Sequence, residues 1–195
     1  MKNVKKTRPI ALLSVAILIA ACASATPPVV EMLDENTGVT VTYSRTPFVF
    51  SPNEKADDYS AVEYVQIGMI EVNTMGELRH YLWMGVSEPE FIDAGGSVSE
   101  RFEFVTFTID GREFRLGAVG TSHEVIGTSE PVYPGLFKST EDVYFDIALE
   151  QIGMFVGAND ISFRNADSTA DVYRSWYKAV TPHEDLAEFY REVLQ

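Results

Sequence analysis

Few side chains in this sequence could do covalent or metal chemistry. There is one cysteine, Cys22, and there are three histidines, His80, His123 and His183. His123-Glu124 and His183-Glu184 open like the H-E-x-x-H helix that grips zinc with two histidines one turn apart, but Gly127 and Ala187 stand where the second histidine is needed. No metal site is therefore expected. Ser122-His123-Glu124 contains the residue types of a hydrolytic triad, yet consecutive side chains point apart instead of forming a hydrogen-bonded relay, and no G-x-S-x-G turn occurs. Gly95-Gly96 leads into neither Lys-Ser nor Lys-Thr, which leaves a phosphate loop without support. The acidic groups Asp34-Glu35, Asp57-Asp58 and Glu88/Glu90/Asp93 lack the ordered oxygen spacing and glycine of a calcium loop and read as solvated turns. With 29 Asp and Glu in the chain, no single catalytic carboxylate pair can be chosen by pattern. No catalytic residue and no cofactor is expected.

Charge and size narrow the field further. Fifteen Lys and Arg face 29 acids over 195 residues, a net charge of -14, whereas nucleic-acid binding needs a basic footprint. The chain is 46% hydrophobic with 12 Phe, 9 Tyr and 2 Trp, enough to fill a core and too much for a disordered chain. One domain is expected at this length.

The N-terminus reads as an address. Lys2, Lys5, Lys6 and Arg8 come with no acid, and Ile10 to Ala21 is apolar except for Ser14. That is the form of a secretory signal, and twelve residues are too few for a permanent membrane helix. The run ends in Ile19-Ala20-Ala21-Cys22, which resembles the lipobox of bacterial lipoproteins: an aliphatic residue, two small residues and the cysteine that is modified. The resemblance implies cleavage before Cys22, a thioether-linked diacylglycerol and an amide-linked acyl chain on it, and a membrane as partner. A lone cysteine has no internal disulfide partner in an oxidising compartment, so lipid attachment gives it a role. Ala23 stands where aspartate would retain such a protein at the inner membrane in enteric-type bacteria, so the resemblance implies the outer membrane. Loss of residues 1–21 removes four basic residues and no acid, leaving 11 against 29 and a charge of -18. Residues 22–35, with Pro27-Pro28, read as the lipid-attached tether, and residues 36–195 as a single domain.

The elements of that domain follow from period and turn chemistry. Val39–Tyr43 alternates as a strand, and Phe48–Phe50, after Pro47, reads as an edge piece. Tyr59–Val72 and Glu77–Val86 flank Asn73-Thr74-Met75-Gly76 as a hairpin. Arg101–Ile109 and Arg112–Val119 flank Asp110-Gly111, the strongest short hairpin signal in the chain. Gly120–Thr140 is the longest loop, with a short strand at Glu124–Ile126. Beyond it come a strand end at Val143–Asp146, a helix capped by Asp146 and stopped at Gly157, and a strand pair at Ile161–Arg164 and Ala170–Lys178. Thr181-Pro182-His183-Glu184 predicts a terminal helix with Thr181 as its N-cap. The sum is an α+β fold: seven to nine strands in a mostly antiparallel sheet built from hairpins, with two helices in the C-terminal third.

His80, between Arg79 and Tyr81, is expected to take a cross-strand partner, and His123 to lie exposed in the long loop. Phe102, Phe104, Phe107 and Phe114 are expected in the core of the second hairpin, with Tyr81 and Trp83 sharing one face of the first. Tyr133 and Phe137, in Pro-Val-Tyr-Pro-Gly-Leu-Phe, either pin the long loop to the body or present a binding surface. Three functional classes stay open. The first is a non-enzymatic, lipid-anchored interaction or structural module with an envelope protein as partner. The others are an envelope hydrolase using a carboxylate pair and a carrier of a hydrophobic ligand.

Overall fold

The computed structural model describes residues 26–52, 63–87, 97–135, 140–165, 172–175 and 180–195, without the side chains of 180 and 181. Ten strands form one antiparallel sheet: β1 (Val29–Leu33), β2 (Thr40–Ser44), β3 (Phe48–Ser51), β4 (Tyr64–Thr74), β5 (Glu77–Ser87), β6 (Phe104–Ile109), β7 (Arg112–Gly120), β8 (Thr140–Asp146), β9 (Ile161–Asn165) and β10 (Val172–Ser175). Eight of them close into a barrel, in the order β3-β4-β5-β8-β7-β6-β9-β10 and back to β3. The three-strand run β6-β7-β8 has β5 beside its last strand and β9 beside its first, so it enters two overlapping Greek keys. Closure removes the sheet edges from these eight strands. The antiparallel sheet built from hairpins, with two helices in the C-terminal third, is the observed architecture.

Pro47 does interrupt the chain between β2 and β3, but it does not make an edge. Both short strands lie along the same side of β4, β2 opposite residues 70–73 and β3 opposite residues 65–67, and β3 takes β10 on its other side. The proline sits in the break, where no ladder bond is required of it. Thr46 in the same break donates its backbone N–H to buried Asp185 Oδ2 at 3.1 Å, which fastens the terminal helix over the gap.

Both hairpin turns are two-residue loops with positive φ at each position, the geometry that matches strand twist. At Asp110-Gly111 the φ values are 47° and 81°. The Asp110 carboxylate accepts from the backbone N–H groups of Asn159 (3.1 Å) and Asp160 (3.0 Å), joining this turn to the start of β9. At Met75-Gly76 the values are 53° and 94°, and Asn73 Oδ1 accepts from Gly76 N–H at 2.7 Å. Met75 is fully exposed in a left-handed conformation that disfavours its Cβ. Met75→Asn should therefore raise stability by about 0.5–1 kcal/mol; thermal melts of the two proteins check this, and a loss of stability would contradict it.

Val105, Phe107 and Ile109 alternate with half-exposed neighbours along β6, as inward-facing barrel positions must. They meet Phe50, Ile67, Met84, Phe145 and Phe163 in one cluster. Its rings touch: Phe163 lies 4.6 Å from Tyr173 in a stack and 5.3 Å edge-on from Phe50, and Phe107 is 5.2 Å from Phe155. Helix α2 (Leu149–Phe155) adds Ile152 and Phe155 to the cluster, and α3 (Val180–Val193) adds Leu186 and Phe189.

Five local expectations are corrected. Val29–Leu33 belongs to the sheet as β1 and not to the tether, because it pairs residue for residue with β2. Arg101 ends a short helix, α1 (Val98–Arg101), whose N-cap Ser97 and Glu100 bond reciprocally, so the second hairpin's first strand starts later, at Phe104. His123–Ile126 is a 3-10 turn with Ser122 as its N-cap and Gly127 at φ 84° as its stop, not a strand. Asp146 closes β8, and α2 starts after Ala148, whose N–H donates to Gln151 Oε1 at 2.9 Å. Helix α3 begins at Val180, which places Thr181 in its first turn instead of at its N-cap.

Candidate functional site

Of the residues singled out by sequence, the three histidines take separate partners, whereas Tyr81, Trp83 and Tyr133 meet in one cluster. Cys22 and Phe137 lie outside the described residues. His80 Nε2 is 3.0 Å from Glu71 Oε2, its direct cross-strand neighbour, so the expected partner is present. His123 is half-buried rather than exposed, with Nε2 3.1 Å from the Ser129 carbonyl. His183 packs edge-on against Phe48 at 4.9 Å. Among the described residues no group of three or more His, Cys, Asp or Glu could hold a metal ion.

Tyr133 settles which of its two roles it takes. It is 2% exposed, so it is not a free binding surface; it pins the long loop to the barrel wall. Its hydroxyl donates to the Ser44 carbonyl (2.6 Å) or the Met69 carbonyl (3.0 Å), and its ring stacks on Trp83 with centroids 4.6 Å apart. Gly68 makes room for that ring: a Cβ there would lie 2.3 Å from it. Burial drives the Tyr133 hydroxyl far above its ordinary titration range, so it acts as a neutral donor. Around this anchor Val41, Ile70, Tyr81, Ile126, Val132 and Tyr144 form a second apolar cluster on the outer face of the wall. The segment 121–135 thus straps the outside of β4 and β5, which explains why both strands are buried on their two faces.

The strap has a polar latch. Asp34, in the turn between β1 and β2, accepts from Ser129 N–H at 2.5 Å and Ser129 Oγ at 2.9 Å, and from the N–H groups of Asn36 and Thr37. These donors, Ser129 N–H foremost, hold its carboxyl at about 2, below the ordinary 3.8. A depressed carboxyl stabilises the fold above its ordinary value and stops doing so as pH falls through the depressed one. The latch is therefore whole above about pH 4 and opens as pH drops through about 2. The Ser129 amide resonance should titrate with that low midpoint; a midpoint at the ordinary carboxylate value would refute the latch.

Two clusters were not foreseen. Beneath the strap, Trp83 Nε1 donates to Asp142 Oδ1 at 3.0 Å, burial raises the Asp142 carboxyl, and the buried Tyr144 hydroxyl has no protein hydrogen-bond partner among the described residues. At the start of β4, Arg101 Nη1 lies 2.6 Å from Glu63 Oε2, and the Tyr173 hydroxyl donates to Glu63 Oε1 at 2.6 Å. Both charged side chains are nearly buried, 14% and 7% exposed. Each Glu63 oxygen is thus engaged, the arrangement of a structural ion pair. Glu63 inside an apolar strand was the available sequence signal, but its partners stand 38 and 110 residues away.

Asp34 and Asp142 are displaced in opposite directions but are held by different partners, Ser129 and Trp83. No known family, curated protein or solved structure matches the chain.

Proposed function

We propose that this chain is a lipid-anchored protein of the bacterial cell envelope, held by acyl groups on Cys22, facing the periplasm from the outer membrane and working through protein contacts instead of catalysis. The observation that carries the reading is the agreement of four features within 22 residues: the basic start, the short apolar run, Ile19-Ala20-Ala21, and the chain's one cysteine immediately after. A thioether-linked diacylglycerol plus an amide-linked acyl chain exceeds the two signals that stable anchoring requires. Among the described residues the first strand begins at Val29, and the seven residues 22–28 reach at most about 25 Å, so the tether keeps the domain close to the bilayer. A charge of -18 on the exported part opposes contact with anionic headgroups and turns the domain toward other proteins.

The interior aromatics favour a scaffold over a ligand chamber, since Phe50, Phe107, Phe155, Phe163 and Tyr173 are in mutual ring contact. The test is Cys22→Ser in a bacterial host expressing the full chain. The expected result is an unlipidated protein that leaves the outer-membrane fraction, either as released chain or as stranded precursor. An unchanged outer-membrane fraction would sink the anchoring.

A further inference from the structure

β1 is the one strand outside the barrel that has a neighbour on a single side among the described residues. Antiparallel pairing alternates, so every second residue turns its N–H and C=O toward the partner strand and the residues between turn them away. Here Asp34 N–H donates to Val39 O at 2.9 Å and Arg45 N–H to Pro28 O at 2.8 Å. With Val30 opposite Tyr43 and Met32 opposite Val41, these bonds assign Val30 and Met32 to the β2 side and direct the backbone groups of Val29, Glu31 and Leu33 to the open edge. The strand has no proline, no lysine and no shift in register, and Glu31 at its centre is its one charged side chain. Met32 and Leu33 are 36% and 62% exposed. Val29 packs against the core and α3 touches the strand, so β1 is fastened to the body of the domain.

We infer that the open edge of β1 takes an extended segment of a second protein, adding an eleventh strand, with a basic residue of that segment set against Glu31. Charge selects this occupant. A second copy pairing antiparallel over all five residues would place Glu31 directly opposite its own equivalent, and like charges in that position repel. The whole chain carries -14, with exposed Glu35 just past the end of the strand, so a basic segment is attracted and a copy is not. Backbone bonds at Val29, Glu31 and Leu33 would supply the affinity, and the Glu31 position the specificity. The inference rests on the protein-contact half of the function proposed above and not on the lipid.

The experiment uses the full chain in detergent micelles, isotope-labelled for amide NMR, with the capped peptide Lys-Thr-Val-Lys-Val-Thr-Lys as probe and the same peptide with every Lys changed to Glu as its counterpart. The basic peptide should shift the amides of Val29, Glu31 and Leu33 and slow their exchange, and the acidic one should bind at least about tenfold more weakly. Glu31→Pro removes an outward N–H together with the Glu31 carboxylate and leaves the β2 bonds intact, so it should weaken the basic peptide by at least about tenfold. Should that variant fail to fold, Glu31→Lys carries the test, since it should reverse the preference between the two peptides. Equal binding of both peptides, no shift at these amides, or self-association of the chain that Glu31→Pro abolishes would each overturn the inference. Cys22→Ser should bind the basic peptide unchanged, so a failure of anchoring and a failure at this edge are read separately.

Discussion

Arg101→Met should destabilise the fold by about 3–5 kcal/mol, because it leaves the Glu63 carboxylate buried without its counter-charge. Glu63 is 7% exposed and keeps the Tyr173 hydroxyl as a donor. A neutral amide at that place needs no counter-ion, so Arg101→Met combined with Glu63→Gln should recover much of the loss. Urea denaturation of the two variants against the parent chain decides the matter. A cost below about 1 kcal/mol for Arg101→Met would mean the pair is solvated and behaves as a surface ion pair.

The second large effect is expected at the strap. Tyr133→Ala removes a buried ring stacked on Trp83 and a hydroxyl bonded to the wall, a change that costs about 3–5 kcal/mol for large aromatics in cores. Gly68→Ala attacks the same contact from the other side by driving a methyl group into the ring, and overpacking of that kind costs about 1–3 kcal/mol. The two losses should not add. Once the ring is gone the methyl group has space, so the double variant should be more stable than the sum of the single effects implies. Strict additivity would place Tyr133 away from Gly68 in solution.

The parts of this fold that were legible in the sequence are those specified by neighbours. Asp110-Gly111 announces its hairpin because both residues tolerate positive φ, and the same logic located the turn before Glu77. Phe107 was placed correctly in the core, but Phe104, expected beside it, is half-exposed on the other face of β6, because Val105, Phe107 and Ile109 take the inward positions. The short helix α1 was also legible, since Ser97 and Glu100 have the spacing of a capping box, but the aromatic run after Arg101 pulled the reading toward a longer strand. β1 was hidden by Pro27-Pro28 and by its own half-exposed pattern; pairing with β2, not its composition, makes it a strand. Ring closure was out of reach for a similar reason. It depends on β5 meeting β8 and β10 meeting β3, contacts between distant residues that no local pattern records.

The polar clusters divide in the same way. His80 could be assigned a cross-strand partner because Glu71 faces it within one hairpin. The Asp34 latch, the Trp83–Asp142 bond and the Glu63–Arg101–Tyr173 cluster join segments that meet only after the barrel closes. For Tyr133 the sequence left two roles open, and the decisive fact was the absent side chain of Gly68 opposite it, 65 residues earlier in the chain.

The intact mass of the full-length gene product recovered from bacterial membranes tests the proposal that Cys22 becomes the lipid-bearing first residue of the exported protein. The expected mass equals residues 22–195 plus a diacylglyceryl group and one further acyl chain, with the modification on Cys22. A mass matching the unprocessed 195-residue chain, or a processed chain without lipid, would contradict it.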